Sequence, residues 1–314
     1  MTAVREAAPA RRANVPGLVQ RLPRFERVES PPPRDPLMMI YSYVLTMVAI
    51  VLFTLIINIT LVSQLQHFAS QHRLYNDLRL ALAQGSAPIG QLDVNGNVTA
   101  PGTPIALLTI PELGVREVVV EGSASQQTKL GVGHRPDTAL PGQPGRSILM
   151  GRSAAYGGPF GSIDKLHSGD QFTVLTGQGT STYRVIGVQN GDVKLPDPGS
   201  AGGQLTLMTA AGSAFFPHGV LEVNADLVSK PFPRPQVAFG EGVVPHEDDA
   251  LASDPGRLFS LSWLLELLVL LTVGAVWAWK RWSYPAMWIV FVPVLTATGL
   301  LCADRICDLL PNLL

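Results

Sequence analysis

Nucleophilic chemistry in this chain would have to come from a short list of side chains. Ser153 directly follows Arg152, and Ser213 lies three residues beyond Ala210. Neither serine has an evident Ser–His–Asp setting. His134 and His218 are two of the imidazoles of the same region, and Arg152 is a planar cation able to grip a carboxylate or phosphate bidentately. An ordinary surface pairing of Arg152 with Asp164 or Asp170 is the competing expectation. The only cysteines, Cys302 and Cys307, lie five apart in an apolar C-terminal segment. On one helix they point to different sides, so an internal disulfide is not expected, and they read as small residues of a membrane helix. No CxxC pair or cysteine–histidine cluster offers a metal site, and no cofactor is implied.

The elements that must position these groups are partly in a membrane. The chain has 314 residues, 46% hydrophobic and 15% charged, and its mean hydropathy is +0.24. Three stretches are long and apolar enough to span a bilayer: 37–62, 258–279 and 286–303. The first is too long, and begins too late, for a cleaved signal peptide. Seven arginines precede it, and Lys280 and Arg281 separate the other two, flanked by Trp279, Trp282 and Tyr284. Positive loops stay cytoplasmic and aromatic residues settle at the interface. The expected topology has the N-terminus cytoplasmic, residues ~64–257 outside, a cytoplasmic turn near 281 and the C-terminus outside. Glu266, inside the second span, is costly in lipid. It is expected either to snorkel toward the outer surface or to pair with a helix of a partner, near Asp304 and Arg305. A net charge of −1 gives no basic surface for nucleic acid.

Residues 1–36 are rich in Pro, Arg and Ala and read as a disordered cytoplasmic tail. Residues 63–102 read as a juxtamembrane helix, with Leu65, Phe68, Leu74, Leu78 and Leu82 near helical spacing, followed by a Gly/Pro/Asn linker. Residues 103–229 alternate short apolar strands with turns, the pattern of a barrel or a sandwich. The strand candidates are 105–110, 115–121, 147–151, 171–176, 181–188, 204–209 and 220–228. Residues 230–257 turn proline-rich and acidic and read as a tether back to the membrane.

Seven motifs within 103–229 occur in the order and spacing of one enzyme family. They are Ala106-Leu-Leu-Thr-Ile-Pro-Glu-Leu-Gly114, Val118-Val-Val-Glu-Gly122, Leu130-Gly-Val-Gly-His134, and Pro141-Gly-Gln-Pro-Gly145 with Ser147-Ile-Leu-Met-Gly151. Then follow Phe160, Leu166 and Gly169-Asp170, Tyr183-Arg-Val185, and Gln204-Leu-Thr-Leu-Met-Thr-Ala210. This stretch resembles the sortases, membrane-anchored cysteine transpeptidases of Gram-positive cell envelopes, most like classes C and E. The resemblance implies an eight-stranded extracytoplasmic β-barrel, a choice that alternation alone leaves open.

The resemblance also implies where the chemistry should sit. The family's cysteine attacks the sorting-signal peptide bond, its histidine protonates the leaving amine, and its arginine stabilises the oxyanion. Here the cysteine position is Ala210, the histidine position Arg152 and the arginine position Val220, with Gly219 or His218 the choices under a small shift. Alanine has no nucleophile, valine no donor, and arginine stays protonated. A single laboratory substitution would not remove three groups, so the chain is identified as a natural, catalytically degenerate member. The expected function is a non-catalytic envelope scaffold, peptide-binding module or regulatory subunit of a membrane assembly. The alternative is an active transpeptidase or hydrolase with an altered catalytic set. Groove or ligand-binding candidates are His134, Arg152, Thr209 and His218. The expected partners are the lipid bilayer, an envelope or membrane protein and a peptide ligand.

Overall fold

The computed structural model describes residues 36–190, 202–213, 216–235, 237–240, 242, 243, 245–282 and 284–314. The tail expected at 1–36 lies outside them, apart from Pro36. Among the described residues three helices are long and apolar enough to cross a membrane: Val44–Gln84, Arg257–Arg281 and Pro285–Leu309. The first is built from α1 (Pro36–Ile57), a π-helical turn at Asn58–Val62, and α2 (Ser63–Gln84). Gly85 stops it in the left-handed region, where its N–H returns to the carbonyls of Ala81 and Leu82.

The buried stripe of α2 is Ser63, His67, Ser70, Leu74 and Leu78. Leu65 and Phe68, expected on the apolar face, are 71% and 74% exposed. The reason is geometric: Leu65 and Leu74 are nine positions apart, which places them on opposite sides of a helix with 3.6 residues per turn. In its first half the buried face is polar because it meets polar groups. His67 Nε2 lies 3.0 Å from Glu117 Oε1, and a β-carbon at Gly157 would fall 2.4 Å from the His67 ring. Higher up, Leu74 and Leu78 pack on Leu107, Val118 and Val120. Gln71 clamps the same surface, accepting the Val118 N–H at 2.7 Å and donating to the Leu130 carbonyl at 2.9 Å.

Eight strands close into the barrel: β1 (Pro104–Ile110), β2 (Val115–Glu121), β3 (Val132–His134), β4 (Gly145–Met150), β5 (Gln171–Thr176), β6 (Gly179–Asn190), β7 (Gly203–Ser213) and β8 (Phe216–Leu227). Their order is β1-β2-β3-β4-β7-β8-β6-β5, with β5 returning to β1. Two pairings are parallel, β2 with β3 and β4 with β7. A parallel neighbour needs a crossover, and the short helix α3 (Ser125–Leu130) supplies it between β2 and β3. Alternate residues fill the interior: Ile105, Leu108, Leu149, Val174, Leu205, Leu207 and Val223 are fully buried there, with Tyr183 stacked on Phe172. Their alternation along each strand is the period of two that a one-sided core requires.

The segments flanking the barrel are laid against it. Gln91 Oε1 accepts the N–H groups of Ala238 and Phe239, and Phe232 N–H donates to the Gly142 carbonyl. The stretch expected to tether the barrel to the membrane is thus held at Phe232, Ala238 and Phe239 by Gly142 and Gln91. Asp248 then accepts from both the N–H and the hydroxyl of Ser123. The chain ends in two paired apolar helices, α4 (Arg257–Arg281) and α5 (Tyr284–Leu309). Cys302 packs with Leu261 and Leu268 of α4, whereas Cys307 packs with Ala155 and Tyr156, so the two free thiols face different neighbours.

Candidate functional site

The register of three strands builds the site. Met150 of β4 lies beside Met208 of β7 in a parallel pair. Ala210 of β7 pairs with Val220 of β8. Arg152 follows Met150 by two residues just as Ala210 follows Met208, and the Gly151 N–H still donates to the Met208 carbonyl at 3.0 Å. Extending this register by two residues puts Arg152, just past the end of β4, level with Ala210 of β7 and its partner Val220 of β8. Residue 151 must lack a side chain here, because a β-carbon would lie 2.6 Å from the Phe160 ring. The wall in front of Ala210 is apolar. Ile148, Met150, Met208 and Val220 surround it, and Ala250, Leu251 and Leu313 cover it.

Arg152 is fully buried. Nη2 donates to the Ser125 carbonyl at 3.1 Å and its hydroxyl at 2.8 Å, and Nη1 donates to the Leu314 carbonyl at 3.2 Å. The guanidinium lies 5.0 Å from the Tyr156 ring centroid, within cation–π range. Burial holds its pKa below the usual arginine value, opposed by the nearby Tyr156, Cys307, Asp308 and Asp304. Arg152 pairs with neither Asp164, which is exposed, nor Asp170, whose carboxylate accepts the His167 N–H. Ser125 and Leu314 are far away in sequence, so composition near residue 152 gave no hint of them.

Residues 108–214 match the sequence profile of the sortase domain. This part of the chain is a sortase domain. Sortase D of Bacillus subtilis is 29% identical over 85 residues, a match covering 27% of this chain and 41% of that protein. Among solved structures, a Clostridium perfringens sortase D5 transpeptidase is 20% identical with a TM-score of 0.43, covering 51% of this chain and 99% of its own. Sortase E1 of Streptomyces coelicolor, solved with a tripeptide in the active site, is 26% identical with a TM-score of 0.37, covering 43% and 93%.

The other site candidates of the sortase domain separate. His134 ends β3 opposite Leu149. Its Nδ1 is 2.9 Å from Glu121 Oε2, and its Nε2 is 3.0 Å from the Ala139 carbonyl. A ring whose two nitrogens both face acceptors is held as an imidazolium. Burial pulls its pKa down, but the Glu121 charge and hydrogen bond, the Ala139 carbonyl and Asp137 outweigh it, so the net shift is upward. The stabilisation from this pair is fully present below the unfolded histidine value of about 6.5 and is lost as pH rises through the higher folded value. Melting temperature in detergent should therefore fall as pH rises above about 6.5. His134→Gln should flatten that slope; a slope unchanged by the substitution would remove the pair from the explanation.

Thr209 shares the parity of Leu205 and Leu207, and its buried hydroxyl has no partner inside the barrel. His218 is exposed beside the β-bulge at Ala211/Gly212, near the turn that joins β7 to β8. Ser213 is also exposed, and the Ser153 N–H donates to the Leu313 carbonyl at 2.9 Å. Glu266 is exposed on the side of α4. Asp304 and Arg305, the groups considered as its neighbours, are engaged elsewhere.

That engagement escaped the sequence reading. Lys129 of α3 reaches Asp304 at 3.0 Å and Asp308 at 2.6 Å, and Arg305 lies 3.5 Å from Asp308. The Tyr156 hydroxyl donates to Asp304 at 3.1 Å, and Lys129 lies 5.2 Å from the ring centroid of Tyr156. Tyr156 holds φ at 51°, costly for a residue with a side chain. The ion cluster ties the barrel to the end of α5. The carboxylates at 304 and 308, four apart at the end of an apolar helix, were its one sequence signal. Among the described residues no group of His, Cys, Asp and Glu is placed to hold a metal ion.

Proposed function

We propose that this is a non-catalytic sortase-type membrane protein whose barrel serves as a scaffold or recognition element in a cell-envelope assembly. The observation that supports the reading is the strand register: Ala210 pairs with Val220 between β7 and β8, and Arg152 lies two residues beyond Met150, the last β4 residue, which pairs with Met208. Acyl transfer needs a nucleophile, a proton donor to the leaving amine and a donor to the oxyanion. Ala210 and Val220 offer none of these, and Arg152 is fully buried and committed to Ser125 and Leu314. Ser213 is exposed at the end of β7 and the Ser153 N–H is bonded to Leu313, and among the described residues no hydrogen bond joins either serine hydroxyl to a base. A serine-directed fluorophosphonate should leave the purified chain unlabelled; stoichiometric labelling lost in Ser153→Ala or Ser213→Ala would overturn the reading.

The orientation proposed with it has the barrel outside the cell, the N-terminus and the turn near 281 cytoplasmic. The ion cluster supports this, since it joins the barrel to the end of α5 remote from Lys280 and Arg281. Glu266, exposed on α4, is the natural contact for a partner's transmembrane helix. Detergent extraction should co-purify a stoichiometric membrane or envelope protein. A chain that always runs alone under mild extraction would leave the scaffold role without its partner.

A further inference from the structure

We infer that the vestigial cleft of the sortase domain is a peptide site whose resident ligand is the chain's own segment Pro311–Leu314. The inference deepens the proposed function by naming what the site holds, and it rests on reading Ala210, Arg152 and Val220 as the old reactive positions. Leu313 is fully buried and shares one apolar cluster with Ile148, Met150 and Ala210, the position where the family resemblance puts the nucleophile. The segment folds as a turn, with the Leu314 N–H on the Pro311 carbonyl at 3.1 Å, which presents Leu313 at its tip. The extension of β4 reads its backbone, since the Ser153 N–H donates to the Leu313 carbonyl at 2.9 Å. Arg152 holds the next carbonyl, that of Leu314.

Asn312 fixes the other side. Its Nδ2 donates to the Ser123 carbonyl at 2.8 Å and the Asp249 carbonyl at 2.9 Å, and its N–H donates to the Ala252 carbonyl at 2.9 Å. Leu251, beside Leu313, holds φ at 61°, and Tyr156, under Arg152, holds 51°. These two are the non-glycine residues of positive φ among those described, and both border the occupied cleft. Strained backbone persists where the surroundings over-determine it. An apolar side chain, two captured backbone oxygens and an asparagine held at three points, two through its side-chain amide and one through its backbone N–H, make up a ligand-binding arrangement for a turn of the type Pro-Asn-Leu-Leu.

A thiol at position 210 reports occupancy in the full-length chain in detergent. Ala210→Cys should react slowly with a maleimide, above the background of the unsubstituted chain. Adding Leu313→Asp, which expels the turn, should speed labelling at least about tenfold by opening the covered site. A synthetic peptide of residues 310–314 should then slow it again. It must be supplied at about millimolar levels, the effective concentration of a tethered segment. Unchanged labelling in the double variant would overturn the occupancy. Fast labelling that the peptide does not reverse, in a double variant whose circular dichroism and cooperative melting match those of Ala210→Cys alone, would overturn the ligand assignment. Labelling is independent of turnover, so either failure leaves the absence of wild-type chemistry standing, and turnover by the wild-type chain would leave the occupancy standing.

Discussion

Lys129→Met is expected to lower stability by about 3–5 kcal/mol, the cost of leaving a buried charge without its counterion. Asp308 is only 2% exposed and has Lys129 at 2.6 Å, with Arg305 as a more distant second cation. Methionine keeps most of the apolar stem of lysine, so the loss isolates the charge. Removing the stranded carboxylate should then restore part of the stability: Lys129→Met with Asp308→Asn should melt above Lys129→Met alone. That coupling is the signature of a direct pair. A single substitution costing less than about 1 kcal/mol would show that the cluster is solvated like a surface pair. The effect bears on function because the cluster joins the barrel to α5. Loosening it should expose the barrel–helix junction to proteolysis before the barrel itself melts.

Arg152→Ala is expected to cost a similar amount, about 3–5 kcal/mol, by a different route. It empties the volume of the largest fully buried side chain and strands the Ser125 and Leu314 carbonyls. Arg152→Lys should recover less than half, since an ammonium cannot reproduce the planar fork that serves both acceptors. Full rescue by lysine would mean that charge alone matters. Arg152→His, the residue that the resemblance to sortases implies for this position, should destabilise the chain without conferring turnover, because Ala210 and Val220 remain.

Much of the barrel was legible in the sequence because its strands carry a period of two between turns rich in glycine and proline. The candidates at 115–121 and 171–176 coincide with β2 and β5. β3 has three residues, too few for any period, and was visible only as the Gly-Val-Gly-His134 motif. The face of α2 was misjudged because its first buried turns are His67 and Ser70, which look like solvent positions until Glu117 and Gly157 are brought against them. Arg152 was recognised as unusual, but its partners were sought nearby. Ser125 and Leu314 are 27 and 162 residues away, and no local pattern encodes such a contact. Leu313 was invisible for a related reason: a leucine after an apolar helix looks like more of the same, and only β4 and β7 give it a different role.

Position 210 decides whether this chain can carry out transpeptidation. The direct measurement is to incubate the purified full-length chain with a sorting-signal peptide and an amine nucleophile and to follow cleaved and ligated products by mass spectrometry. The expected result is neither product above the no-enzyme control, with the same outcome after Cys302→Ala and Cys307→Ala. Ligated product from the unsubstituted chain, persisting after cysteine-directed inhibitors have silenced any contaminating transpeptidase, would contradict it.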